Sequence, residues 1–443
     1  MTSVPRLSVA KGDTAVKIAT SLEAAVRDGR LQPGQRLPTV RQLAEQLGRS
    51  PTTITAAYAV LRSRGIIASQ GRRGTFVSPR QVFATRPDEP APPNTRDLAS
   101  GNPDPDLLPD YAEALARISP HPVLYGADPY EPDLLREARA LFEADGVPAD
   151  HISVASGALD AIERAMRASL RPGDRVIVED PGYFGVFDLL AGLGLRLVPI
   201  PVDDHGPRPE ALAHALKKGA AAFVYTPRAQ NPTGAALGEA RVRTLRQFLT
   251  RCPDLLVIED DHAGSIAGPA PPPLRGQGAG RWLTVRSVSK TLGPDLRVAL
   301  LAGDADTIRS LEDQQRLGMR WVSRLLQQTV YQLLTTEAAR PRLTLVRDEY
   351  ARRRTALLDA VHTCGLEAYG PSGLNVWIPL REEGPVVRAL AERGWAVAGG
   401  ERFRIRTRPA IRVTTATLLP HEAYAFAEDL SEVLRPAPHS ATT

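Results

Sequence analysis

Lys290 stands in the run Ser287-Val288-Ser289-Lys290-Thr291-Leu292-Gly293-Pro294-Asp295-Leu296-Arg297, where two hydroxyls precede an amine and a guanidinium follows. A lysine amine condenses with an aldehyde as a Schiff base. Serine hydroxyls and a forked guanidinium hold a phosphate. Together they suit an aldehyde cofactor that carries a phosphate, which describes pyridoxal phosphate. The same run also fits an exposed lysine on an ordinary turn, and the segments upstream decide between the two readings.

Val257-Ile258-Glu259-Asp260-Asp261-His262 reads as a short strand ending in carboxylates, the place where α/β sheets deliver residues to a ligand crevice. A buried Asp260 there can pair with a pyridinium nitrogen and keep the ring protonated as an electron sink. A metal site or a solvated turn is the plainer reading of the same residues. Phe223-Val224-Tyr225 leads into Asn231-Pro232-Thr233-Gly234, a turn that presents the Asn231 amide to a ring oxygen. Tyr183, after the strand Arg175–Val178, offers a ring that can stack on a flat heterocycle. Ser156-Gly157-Ala158-Leu159 follows the strand Ile152–Ala155 and opens a helix, so the amides of Gly157, Ala158 and Leu159 face an anion.

In this order the segments resemble the fold type I pyridoxal-phosphate enzymes, the aspartate aminotransferase superfamily, from about Leu98 to Leu434. The resemblance implies an α/β transferase domain with a smaller C-terminal α+β subdomain. It makes Lys290 the Schiff-base lysine, sets Asp260 on the pyridine nitrogen, Asn231 near the ring hydroxyl and Tyr183 on the ring face. It places Ser287, Ser289, Arg297 and the amides of residues 157–159 on the phosphate, with Tyr125 as a contact reaching a neighbouring subunit. Arg412, in Ala410-Ile411-Arg412-Val413, is the choice for gripping a substrate α-carboxylate; Arg404, Arg406 and Arg408 crowd the same stretch. His262 takes the position where most relatives carry a tyrosine. An imidazole titrates near neutrality, so it is expected to make cofactor reactivity depend on pH.

The chain before Pro79 has a different character. Thr14 to Arg27 carries Ala15, Ile18, Ala19, Leu22 and Val26 at helical spacing. Thr39 caps a helix through Leu47, Ser50 and Pro51 start another that turns Ile54, Ala57, Tyr58 and Leu61 inward, and the two form a helix-turn-helix. Ile66–Ser69 and Thr75–Val77 make a hairpin with the basic tip Gln70-Gly71-Arg72-Arg73-Gly74. Residues 1–80 hold 13 Lys/Arg and 4 Asp/Glu, although the whole chain carries only +5. A basic head on a mildly acidic body is the footprint of a nucleic-acid-binding module; a solvated basic surface is the alternative.

Leu37-Pro38-Thr39-Val40-Arg41-Gln42-Leu43-Ala44, Thr52-Thr53-Ile54 and Gly71–Val77 resemble a GntR-type winged helix, and the whole chain is similar to the MocR family of bacterial regulators. Carried over, Arg41, Ser50, Thr52, Thr53, Arg72 and Gly74 imply phosphate and groove contacts, and Thr55 a contact to bases or phosphates. Pro51 stands where some relatives place a base-reading arginine, which shifts that task to Arg49. The expected organisation is a winged helix over 1–79, a Pro-rich linker over 80–97 and an effector domain over 98–443.

At 443 residues with 43% hydrophobic content the chain can fill such a body. Cys252 and Cys364 lack metal-ligand or disulfide spacing, and no export signal or membrane-length apolar run occurs. The expectation is therefore a cytoplasmic homodimer that binds operator DNA and senses an amino acid, an amine or pyridoxal phosphate itself through aldimine chemistry at Lys290. An active aminotransferase with an accessory DNA-binding head is the rival. The Pro/Gly loop Gly268 to Gly280 has no assigned role.

Overall fold

The computed structural model describes residues 13–27, 30–32, 34–63, 66–69, 74–77, 91–119, 121–276, 278 and 280–435. They divide into two compact units, a head and a body.

In the head, helix Ala15–Arg27 buries Ile18, Ala19, Leu22 and Ala25 against helix Pro51–Ser63, which contributes Ile54, Ala57, Tyr58 and Leu61. Helix Val40–Leu47 begins on a capping box: the Thr39 hydroxyl accepts from the Gln42 amide, and the Gln42 side chain accepts from the Thr39 amide. Gly48 ends it in the left-handed region at φ 61°, where a side chain is strained. Ser50 accepts from the Thr53 amide at 3.1 Å, so the next helix starts as its sequence predicts. Strands Ile67–Ser69 and Thr75–Val77 pair antiparallel, and Gln35–Leu37 adds a third rung through Val77 N to Gln35 O and Leu37 N to Thr75 O.

The body's large sheet runs, in spatial order, Ile152–Ala155, Ala299–Gly303, Trp282–Ser287, Leu256–Asp261, Ala222–Tyr225, Arg175–Asp180, Arg196–Asp203 and Gly206–Pro207. Trp282–Ser287, Leu256–Asp261, Ala222–Tyr225 and Arg175–Asp180 are mutually parallel. Fully buried apolar residues dominate them, as a sheet covered on both faces requires. Their carboxyl ends gather Asp180, Thr226, Asp261 and Ser287 at one edge of the sheet. The smaller sheet orders Asn375–Pro379, Ala410–Thr414, Trp395–Gly399 and Arg96–Leu98, with helix Pro420–Leu434 packed in the same core. Arg96 and Asp97, assigned to the linker by sequence, are thus the first strand residues of the body.

In the loop from Gly268 to Gly280, residues 273–275 are buried. Leu274 is buried with its amide donating to the Tyr225 hydroxyl, and Arg275 donates to the carbonyls of Leu249, Cys252 and Pro253.

Candidate functional site

Register brings the anion-holding groups together. Ser287 lies opposite Ala299, and Ala299 opposite Ala155, so the strand end before Lys290 and the turn before helix Ala158–Ser169 share one edge. Arg297, itself at φ 47°, reaches across and donates to the Ser156 carbonyl at 3.3 Å. Gly157 sits at φ 95°, where a side chain is strained, and a Cβ there would lie 2.7 Å from the Arg297 guanidinium and push it aside. The Ser287 hydroxyl donates to Ser289 Oγ at 3.0 Å and accepts from the Ser289 amide at 3.2 Å. The amides of Gly157, Ala158 and Leu159 start a helix and have no carbonyl of that helix to bond.

Alternation along Leu256–Asp261 separates three neighbouring carboxyls. Glu259 accepts a short hydrogen bond from the Tyr225 hydroxyl. Asp261 is gripped at 2.7 Å by Arg228 and at 3.3 Å by Arg286; against the burial that would raise it, these cations hold its pKa at about 2. Asp260 faces the other way with no such partner. Burial, and then the Asp261 charge, push its pKa from 3.8 up to about 7. Its buried Oδ1 has no hydrogen-bond partner among the described residues. A ring N–H is the donor such an acceptor lacks, and with the Gly157 cradle this makes the residues fit pyridoxal phosphate.

Lys290 Nζ donates to the Gly101 carbonyl at 2.7 Å. Arg412, 4% exposed, donates from Nη1 to Asn231 Oδ1 at 3.2 Å and from Nη2 to the Ala99 carbonyl, with its guanidinium 4.6 Å above the Phe403 ring. The short segment Ala99–Gly101 therefore receives both the lysine and the arginine. Gly101, Ala99 and Phe403 were missed from sequence; a Ser-Gly-Asn-Pro turn after the first body strand was the available signal. Tyr183 packs against Phe184 with centroids 5.0 Å apart. Tyr125 is 79% exposed, edge-on to Trp321, and its described contacts do not include the cluster around Lys290.

His262 departs from the sequence expectation. Burial, and then the Lys290 charge, lower its pKa from 6.5 to about 4. The shift favours the neutral imidazole at pH 7.

Asp260 makes a testable stability prediction. An acid whose folded pKa is raised stabilises the fold fully below its ordinary pKa, and that stability is lost as pH rises through the folded value. Cofactor-stripped Asp260→Asn is thus expected to exceed the parent chain in stability at pH 8 by on the order of 1–3 kcal/mol, with the gap closing toward pH 4. Denaturant titrations across that range measure it, and a less stable variant at pH 8 contradicts an uncompensated Asp260.

In the head, Arg41, Arg49, Ser50, Thr52 and Thr55 are exposed and Thr53 is half-buried. Pro51, Thr52, Thr55, Ala56 and Ala59 form the outward face of helix Pro51–Ser63, opposite the buried Ile54, Ala57, Tyr58 and Leu61. The Ser50 and Thr53 hydroxyls bond each other at 2.8 Å, and Thr55 Oγ1 donates to the Pro51 carbonyl at 2.9 Å. Ser50 is therefore a helix cap besides a candidate contact. Gly74 stands at φ 110°, and a Cβ there would lie 2.9 Å from Arg36 Nε, which places Arg36 at the base of the wing. Arg72 lies outside the described residues.

Residues 93–430 match the family Aminotransferase class I and II, and residues 14–77 match the bacterial regulatory proteins of the gntR family. The chain is 40% identical over 428 residues to the vitamin B6 salvage pathway transcriptional repressor PtsJ of Salmonella typhimurium, spanning 96% of this chain and 99% of that one. It is 28% identical over 399 residues to the HTH-type pyridoxine biosynthesis transcriptional regulator PdxR of Corynebacterium glutamicum, covering 85% and 86% of the two chains. The α-aminoadipate aminotransferase LysN of Thermus thermophilus, solved with N-(5'-phosphopyridoxyl)-L-leucine, is similar in structure with a TM-score of 0.69 and 25% identity, over 77% of this chain and 92% of that one.

Proposed function

We propose that this chain, which belongs to the MocR-type regulators of the GntR family, senses a small amino acid, an amine or the cofactor itself at Lys290 and converts that event into a change in operator affinity. It is a DNA-binding transcriptional regulator that uses pyridoxal phosphate. When bound, the cofactor supplies an aldehyde that condenses reversibly with amines.

One observation carries the sensing reading: Lys290 Nζ and Arg412 Nη2 both rest on carbonyls of Ala99–Gly101. A ligand with an amine and a carboxylate competes for both ends of this arrangement, its carboxylate suiting the Arg412 fork. Displacing the segment acts directly on strand Arg96–Leu98, from which the chain leads back toward the head. His262 keeps an uncharged ring near the Lys290 amine, and Asn231 orients Arg412. When the cofactor is bound, Asp260 would hold its ring nitrogen, and the turn at Gly157 with Arg297 would hold its phosphate. We assign the winged helix to 1–79 and let the effector domain begin with strand Arg96–Leu98, two residues before the boundary at 98 that the sequence suggests, joined by the Pro-rich stretch.

A homodimer in the cytoplasm completes this reading. Leu124, Tyr125, Leu317, Met319 and Leu325 are exposed, and the Tyr125–Trp321 contact draws their segments together, a patch suited to a second copy. No helix among the described residues is long and apolar enough to cross a membrane. The second reading, an active aminotransferase, draws on the complete set Lys290, Asp260, Asn231 and Arg412.

Ligand titrations with and without operator, run beside a keto-acid assay, separate the two. Coupling requires saturating operator to shift the apparent Kd of an amino acid by the same factor by which that ligand shifts operator affinity, typically about 5–150-fold. Fast keto-acid production with superimposable titrations would leave the aminotransferase reading in its place.

A further inference from the structure

Beside the strand that carries Arg412 lies a cavity of about 550 Å³ whose lining includes Trp377, Tyr369, Glu367, Asp204 and Arg408. Its volume is in the range of small-molecule sites, roughly 300–1,000 Å³. Tyr369 and Trp377 exchange both backbone hydrogen bonds, at 2.9 and 2.8 Å, so their side chains leave the sheet on one face and form an aromatic wall. The charges around it are unevenly committed. Asp203 is held by Arg241 at 2.9 Å and by Arg208 at 3.8 Å, whereas Asp204 and Arg408 enter no side-chain hydrogen bond or ion pair among the described residues. Glu367 has only the Tyr369 hydroxyl at 3.5 Å. The pairing of Asp203 with Arg208 within the lining leaves Asp204, Glu367 and Arg408 as the charges of this aromatic cavity with no ion-pair partner among the described residues.

From this lining we infer that the cavity is a second ligand site, separate from Lys290, for a zwitterion with a flat apolar side chain, of the aromatic amino acid class. The ligand's carboxylate meets Arg408, its ammonium meets Asp204 and Glu367, and its ring lies against Trp377 and Tyr369. The site is wired to the first one. Trp377 stands opposite Arg412 in the strand register and packs edge-on against Phe403 at 6.3 Å, and Phe403 carries the Arg412 guanidinium. Thr233, also in the lining, belongs to the turn that presents Asn231. An occupant is therefore placed to tune how firmly Arg412 holds a carboxylate.

The test uses full-length holoprotein reduced with borohydride, so that Lys290 no longer accepts an amine, titrated by calorimetry. L-phenylalanine is expected to bind once per chain, and phenethylamine and 3-phenylpropanoate, each lacking one charge, to bind at least roughly tenfold more weakly. Glu367→Gln and Arg408→Ala, both at exposed positions, should each cost at least about tenfold while operator binding by the same samples shows the chain intact. No heat with L-phenylalanine overturns the inference, as does binding that both variants leave unchanged.

Discussion

Lys290→Ala is expected to abolish the covalent hold on pyridoxal phosphate completely, leaving a cofactor that dialysis removes. Borohydride treatment followed by peptide mapping should mark Lys290 in the parent chain and no residue in the variant. The expectation rests on position. The Lys290 amine is fixed at 2.7 Å from the Gly101 carbonyl, directly after the Ser287–Ser289 pair and near half-buried His262. The phosphate-holding groups do not depend on that amine, so the variant should retain weak noncovalent binding, while Arg297→Ala should weaken retention with the covalent mark still present. A reduced adduct on another lysine would refute the assignment. Salt-sensitive DNA binding by the head should survive Lys290→Ala, because the head's helices pack around a core of their own, but its response to cofactor and amines should disappear.

Much of this site is legible in the sequence because each group sits at the end of a strand, and strand ends carry strong local signals. Asp260, Asn231, Gly157 and Lys290 follow short apolar runs, and a sheet with parallel strands delivers such residues to one crevice. The head is legible for another reason: Thr39 with Gln42 and Ser50 with Pro51 are local chemistry between residues three or fewer apart, so neighbours alone decide them. The Ala99–Gly101 segment is not legible in this way. It acts through backbone carbonyls, which leave no mark on residue type, and its partners lie 189 and 313 positions away. The His262 environment is hidden for a related cause. Imidazole identity gives an ordinary pKa, whereas burial and a lysine elsewhere in the chain push it down to about 4. Asp260 and Asp261 illustrate the same point at one remove: adjacent and chemically identical, they differ because only Asp261 meets Arg228 and Arg286.

DNA binding by the full chain is expected to fall steeply with salt. A protein making six to ten phosphate contacts loses roughly 10³–10⁵ in affinity between 50 and 200 mM salt. Two heads on one operator reach that number more readily than one, since a single small module buries little surface. Within a head, exposed Arg41 follows a capped helix start and projects from the helix preceding Pro51–Ser63, the geometry in which the first helix crosses the phosphate backbone and the second enters the groove. Arg41→Ala should accordingly weaken binding to all sequences alike and reduce the salt slope by about one for each head bound. Arg49, exposed in the turn ahead of the outward face of Thr52, Thr55 and Ala56, is the contrasting case. If it takes over base reading from the position held by Pro51, Arg49→Ala should cost about 1–3 kcal/mol on the operator and little on unrelated DNA. Fluorescence anisotropy on operator and scrambled duplexes at several salt concentrations distinguishes the two roles. Should Arg49→Ala instead lower both affinities equally and flatten the slope, Arg49 is a second phosphate contact, and sequence must then be read from the Thr52–Thr55 face or the wing.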